Sequence, residues 1–193
     1  MSEMNTVVST GLAIRKQVTR FETVGDESTE EHQYVCFPTS MQGGMNLEIA
    51  GCRHAICKVL KRHGIVRFDA EFTGGGDSGY VESVVAYNRE LEEVEIPAIK
   101  VFQLNHVGLW SGWAPKEIRD QVPEGYELFY VTCVELKKAI EDLVWNISRL
   151  HMGGGWENND GGSGDIRFNV LNNTYSGDTV VYYTESEHNE IEG

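Results

Sequence analysis

The sequence predicts an α+β fold in two layers, an antiparallel sheet of about four strands covered by two amphipathic helices. Three observations predict it. Residues 45–63 and 127–151 carry apolar side chains at helical spacing. Segments that alternate apolar and polar residues follow each of them. The order helix, strand, strand recurs over 45–87 and 127–184. The two units share order rather than residues, so the repeat is one of architecture.

Residues 1–43 form an N-terminal extension. VSTGLAIRKQVTRFETV fits either a strand or a short helix, DESTEEH an acidic turn, and QYVCF a strand. The first helix is MNLEIAGCRHAICKVLKRH, with Leu47, Ile49, Cys52, Ile56, Val59 and Leu60 on one side. Lys58, Lys61 and Arg62 take the other side, and His63-Gly64 supplies the stop.

IVRFDAEF follows. Val66, Phe68, Ala70 and Phe72 share one face, and Arg67, Asp69 and Glu71 the other. The segment Thr73–Gly79 reads as a loop and YVESVVAY as the returning strand, completing a hairpin. Residues 88–126 read as an insertion on the sheet edge. Within it IPAIKVFQLNHVGLW holds a strand, and PKEIRDQV a short helix with Pro115 at its first position.

The second helix, ELFYVTCVELKKAIEDLVWNISRLH, places Leu136, Ile140, Leu143, Ile147 and Leu150 in one stripe. Glycines end it at Gly153. The loop WENNDGGSG, the strand IRFNVL, the turn NNTYSGD and the strand TVVYYT then complete the second hairpin. Residues 185–193 form an acidic tail. The whole reads as one domain, 1–193.

Composition narrows the function. Of 193 residues, 40% are hydrophobic, and the formal net charge is −14. Such a charge disfavours nucleic acid, whose phosphates need a basic surface, except through mimicry of its charge. A basic protein partner suits it better. The four cysteines, Cys36, Cys52, Cys57 and Cys133, form no C-x-x-C pair and read as buried free thiols. No signal-peptide core and no apolar run of about 18–20 residues is present, so a cytoplasmic location is expected and a membrane partner is not.

Chemistry centres on two glycine-rich stretches. Gly76-Asp77-Ser78-Gly79 resembles the nucleophile loop of trypsin-like proteases. A Ser nucleophile needs a His base and an orienting carboxylate. The upstream His54 lies on a predicted helix, and Tyr80 replaces the glycine such a loop needs next. No catalytic residue is therefore assigned. A phosphate loop is also excluded, because no Gly-Lys-Ser/Thr follows and the stretch joins two strands.

A divalent cation is the one cofactor these residues accommodate, with Asp69, Glu71, Asp77 and Asp160 as its oxygen donors. Turn-forming Asp and exposed strand carboxylates are the simpler reading. Trp156 beside the second loop either anchors it to the core or meets a ligand. Trp110 and Trp113 pose the same choice within 88–126, and Trp is enriched at interface hot spots. The candidate binding residues are Asp77, Ser78, Trp156, Asn159, Asp160, Trp110 and Trp113.

FDAEFTGGGDSGYVE (68–82) and GGGWENNDGGSGDIRFNV (153–170) together resemble the signature blocks of an uncharacterised prokaryotic family found on phages, plasmids and other mobile elements. That family pairs G-x-G-D-S-G with G-G-W-E-x-N-D-G after a helix and ends in H-N-E, matched by His188-Asn189-Glu190. The resemblance spans roughly 45–190, with 1–43 and 88–126 outside its blocks. It carries no known activity. It implies a mobile-element setting and two blocks that act together.

The leading expectation is a small acidic, non-enzymatic protein that binds another protein, a host defence or regulatory factor. The alternatives are a divalent-metal-dependent enzyme with a carboxylate site near the Gly-Asp loops, and a structural subunit of a larger complex.

Overall fold

The computed structural model describes residues 12–18, 32–38, 44–107, 114, 116–158 and 160–184. The acidic tail 185–193 and most of the DESTEEH turn lie outside them. The fold is α+β, with two antiparallel sheets. The chain divides into two compact units. One comprises Met1–Val59 and Pro97–Ala139, the other Leu60–Ile96 and Ile140–Gly193. Both long helices, α1 (Gly44–Arg62) and α3 (Leu136–Met152), run from the first unit into the second.

The first unit holds a four-stranded sheet in the order β1 (Leu12–Val18), β2 (His32–Pro38), β7 (Tyr126–Glu135), β6 (Lys100–His106). Residues 1–43 and 88–126 thus contribute strands to a second sheet, which the single four-stranded sheet expected from sequence lacks. One core cluster gathers Tyr34, Cys36, Val107, Ala114, Ile118 and Leu128. Another gathers Val35, Phe37 and Phe129, with Leu47, Leu104 and Val131 against them. Ile118 belongs to α2 (Lys116–Arg119), the short helix read from PKEIRDQV. Burial pushes the Cys36 thiol up from its ordinary pKa. Cys52 and Cys57 are buried as expected, and Cys133 is exposed.

The sequence reading placed a helix over 127–151, and the structure corrects it. Residues 126–135 are strand, and the helix begins at Leu136. FYVTCV is a run of aromatic and β-branched residues, which favours strand. Its register against β2 and β6 buries Leu128 and Phe129. The helical stripe starts at Leu136, with Leu136, Ile140, Leu143 and Ile147 all buried.

The second unit holds a five-stranded sheet in the order β5 (Glu93–Val94), β4 (Ser78–Tyr87), β3 (Arg67–Gly75), β8 (Gly162–Asn169), β9 (Thr174–Val181). The two predicted hairpins, β3–β4 and β8–β9, therefore lie side by side, joined through β3 and β8. Alternation fixes the faces. Phe68, Ala70, Phe72, Ile166 and Phe168 point inward and are buried, with Phe68 stacked on Phe168 at 4.2 Å. β4 carries one extra residue, Glu82, where the register with β3 shifts between Glu71 and Phe72.

Candidate functional site

The two glycine-rich stretches are ladder more than loop. β3 extends to Gly75, β4 starts at Ser78, and β8 starts at Gly162. Only Gly76 and Asp77 turn the first hairpin, with φ of 61° and 79°. Positive φ at both central residues of a two-residue loop is the type I′ pattern, which matches strand twist and favours Gly, Asn and Asp. Asp77 is thus explained as a turn residue. Its carboxylate and the Ser78 hydroxyl are exposed at the hairpin tip.

Glycine inside the ladder has a second cause. Gly74 lies opposite Gly79 on β4 and opposite Gly162 on β8, so three glycines form one row across three strands. Two indoles, a methionine and the Val180 carbonyl occupy the space their side chains would need. A Cβ on Gly79 would stand 2.4 Å from Trp145 Cη2, one on Gly74 2.9 Å from Trp156 Cζ3, and one on Gly162 2.6 Å from Met152 Cε. Trp145 and Met152 come from α3. Trp156 comes from the turn that follows it, is 5% exposed, and meets Trp145 at 5.3 Å and Phe72 at 5.5 Å. Its indole Nε1 is buried, with no hydrogen-bond partner among the described residues.

Trp156 thus anchors its loop onto the sheet, the first of the two roles open to it. The two blocks do come together, in one packed arrangement. Gly161 closes it. Its φ is 75°, and its Cα sits so near the Gly74 carbonyl that a Cβ would lie 1.8 Å from that oxygen.

The candidate metal donors do not converge. Asp69 accepts two hydrogen bonds from Arg67, at 2.9 and 2.5 Å, and lies 3.5 Å from Arg167 Nε. Glu71 accepts from the Ser83 hydroxyl at 3.3 Å. Asp77 is at the hairpin tip. Asp160 binds Thr184 with both oxygens, through its backbone N–H at 2.5 Å and its hydroxyl at 2.6 Å, and so ties down the end of β9. Among the described residues no group of three or more His, Cys, Asp or Glu could hold a metal ion. Trp110, Trp113, Asn159 and the His188-Asn189-Glu190 match lie outside the described residues.

The outward face of the same sheet holds residues that the motif reading passed over. Register places Tyr80, Thr73, Ser163 and Val180 in one row, with Tyr80 61% and Val180 53% exposed. Tyr182 reaches this row through a 2.8 Å hydrogen bond between its hydroxyl and that of Ser163, and Tyr183 is exposed beside it. The next row outward along the strands holds Ser83, Glu71, Asp165 and Asp178. TVVYYT carries no alternation that marks Val180 as outward; only its pairing opposite Ser163 does.

No helix among the described residues is long and apolar enough to cross a membrane. No curated protein and no solved structure matches the chain. A family pattern does match, over residues 49–192, which takes in most of α1, all of α3, both hairpins and the whole glycine row. The chain therefore belongs to the family of unknown function DUF6878.

Proposed function

We propose that the protein acts by binding another protein, without catalysis, through the outward face of its five-stranded sheet. One observation carries this reading: exposed Tyr80 and Val180 at the two ends of one cross-strand row, with Tyr182 and Tyr183 near Val180, beside a row of carboxylates. Tyr80, Val180, Tyr182 and Tyr183 supply large, partly apolar surface with few rotatable bonds, the kind enriched in interfaces. Glu71, Asp165 and Asp178 are cross-strand neighbours of like charge, an arrangement that costs stability when unrelieved. A partner with basic side chains around an apolar anchor would cover the first row and neutralise the second. The net charge of −14 steers such a partner toward the protein. The mobile-element setting implied by the sequence blocks makes a host defence or regulatory factor the fitting class of partner.

The test compares capture of partners by the unaltered chain and by a Tyr80→Ser, Val180→Ser variant. Both positions are exposed, so melting should move by only a few degrees. The captured protein should be lost with the variant and should elute as salt rises, because the carboxylate row is exposed and screened. Equal capture by both chains would rule this face out.

A further inference from the structure

At the end of the outward face away from the hairpin tip lies a cleft of about 300 Å³ whose lining includes Arg67, Arg167, Asn169, Thr174 and Ser176. We propose that it binds a phosphate-sized oxyanion, the anionic head of a small ligand. Phe168 and Tyr175 complete the lining, and the five other residues each carry a side-chain donor. Arg67 is pre-organised: Asp69 holds it on one side, and its guanidinium lies 4.5 Å from the Tyr87 ring centroid. Hydrogen bonding to Asp69 also raises its already high pKa, so it stays charged.

Arg167 Nε lies 3.5 Å from Asp69, and the Arg167 side chain is 60% exposed. Its two terminal amino groups make no hydrogen bond among the described residues. They present the planar fork that matches an oxyanion's geometry. Asn169 spends its oxygen on the Asn172 N–H at 2.9 Å, which leaves its amide NH₂ to donate. The Thr174 and Ser176 hydroxyls have no partner among the described residues. Two guanidinium groups face one carboxylate, so the cleft carries one net positive charge within a strongly acidic chain.

Glu71, Asp165 and Asp178 stand in the next row along the strands and weaken the attraction at long range. The site therefore discriminates by contact. It should prefer phosphate, which accepts several directed hydrogen bonds, over chloride, which cannot use the fork.

The experiment titrates inorganic phosphate into the ¹⁵N-labelled full chain, with chloride adjusted to hold ionic strength constant. Saturable shifts should appear at the Arg167 Nε–H and at the amides of Asn169, Thr174 and Ser176. Arg167→Gln should weaken binding by roughly tenfold or more, and Ser176→Ala by a few-fold. Arg167 is exposed, and an unchanged spectrum away from the cleft would establish that the variant is folded. Non-saturating shifts, or an Arg167→Gln chain that titrates like the unaltered one, would overturn the proposal. Should Arg167→Gln perturb the fold, Thr174→Val takes its place, with the same few-fold loss expected and unchanged affinity as the contrary result.

Discussion

Gly161→Ala is expected to cost about 3–5 kcal/mol of stability, among the larger effects a single methyl group can have. Two causes add. The residue sits at φ 75°, where a Cβ is strained. That Cβ would also point at the Gly74 carbonyl oxygen from 1.8 Å. The contact is with backbone, so no side chain can rotate away. Gly161 cannot shift cheaply either, because its N–H donates to Asn158 at 3.2 Å and its carbonyl accepts from Tyr182 at 2.9 Å. Moving it would break both bonds and part β8 from β3. Gly154→Ala is the matched control, since nothing lies within 4 Å of its Cβ position and its φ is not in the left-handed region. Its effect should stay within about 0.5 kcal/mol. Urea unfolding of the two variants reads the difference. Equal midpoints would mean that the close approach of β8 to Gly74 does not exist.

Trp156→Ala should cost about 3–5 kcal/mol, the usual range for removing a buried indole. The cavity would open between Phe72, Trp145 and the glycine row, and glycine has no side chain with which to refill it. Natural domains have about 5–15 kcal/mol in all, so this variant would stand near the edge of folding. Trp156→Phe should do much less harm. It keeps an aromatic face toward Phe72 and removes the N–H that is buried without a partner, which offsets part of the lost contact. Urea midpoints for the two variants test this ordering. A Phe variant as unstable as the Ala variant would mean that the indole N–H is satisfied in solution.

Much of the second unit was legible in the sequence. Alternation gave β3 and the faces of Phe68, Ala70 and Phe72, and periodicity gave the buried stripe of α3. The pairing of the two hairpins followed from the need to cover one apolar face. What misled was glycine. Gly74, Gly79, Gly162 and Gly164 were read as loop, because glycine most often marks a turn. Here they lie in the ladder, because neighbouring atoms press on them: indoles at Gly74 and Gly79, the Val180 carbonyl and Met152 at Gly162, and the Asp178 carbonyl and the Phe72 ring at Gly164. Local sequence cannot show that, because the cause arrives from residues far along the chain. The same limit hid Trp145, which lies off the helical stripe yet fills the space above Gly79.

The first unit was less legible for another reason. Its strands come from 12–18, 32–38, 100–106 and 126–135, and the central pairing, β2 with β7, joins segments distant in sequence. Strand residues 126–135 run directly into a strong helix, and nothing in YELFYVTCVE breaks the chain before Leu136. The candidate site divided along similar lines. The pairing of the glycine blocks was visible as two similar stretches. The exposed row of Tyr80 and Val180 needed the register to bring it together.

The two glycine blocks form one cross-strand row on which Trp145 and Trp156 are seated. Proton NOE spectroscopy of the labelled chain tests it most directly. NOEs are expected from the Trp145 ring to the Gly79 α protons and from the Trp156 ring to the Gly74 α protons, with those glycine protons displaced by ring currents. Glycine α protons at ordinary chemical shifts, without NOEs to either indole, would contradict it.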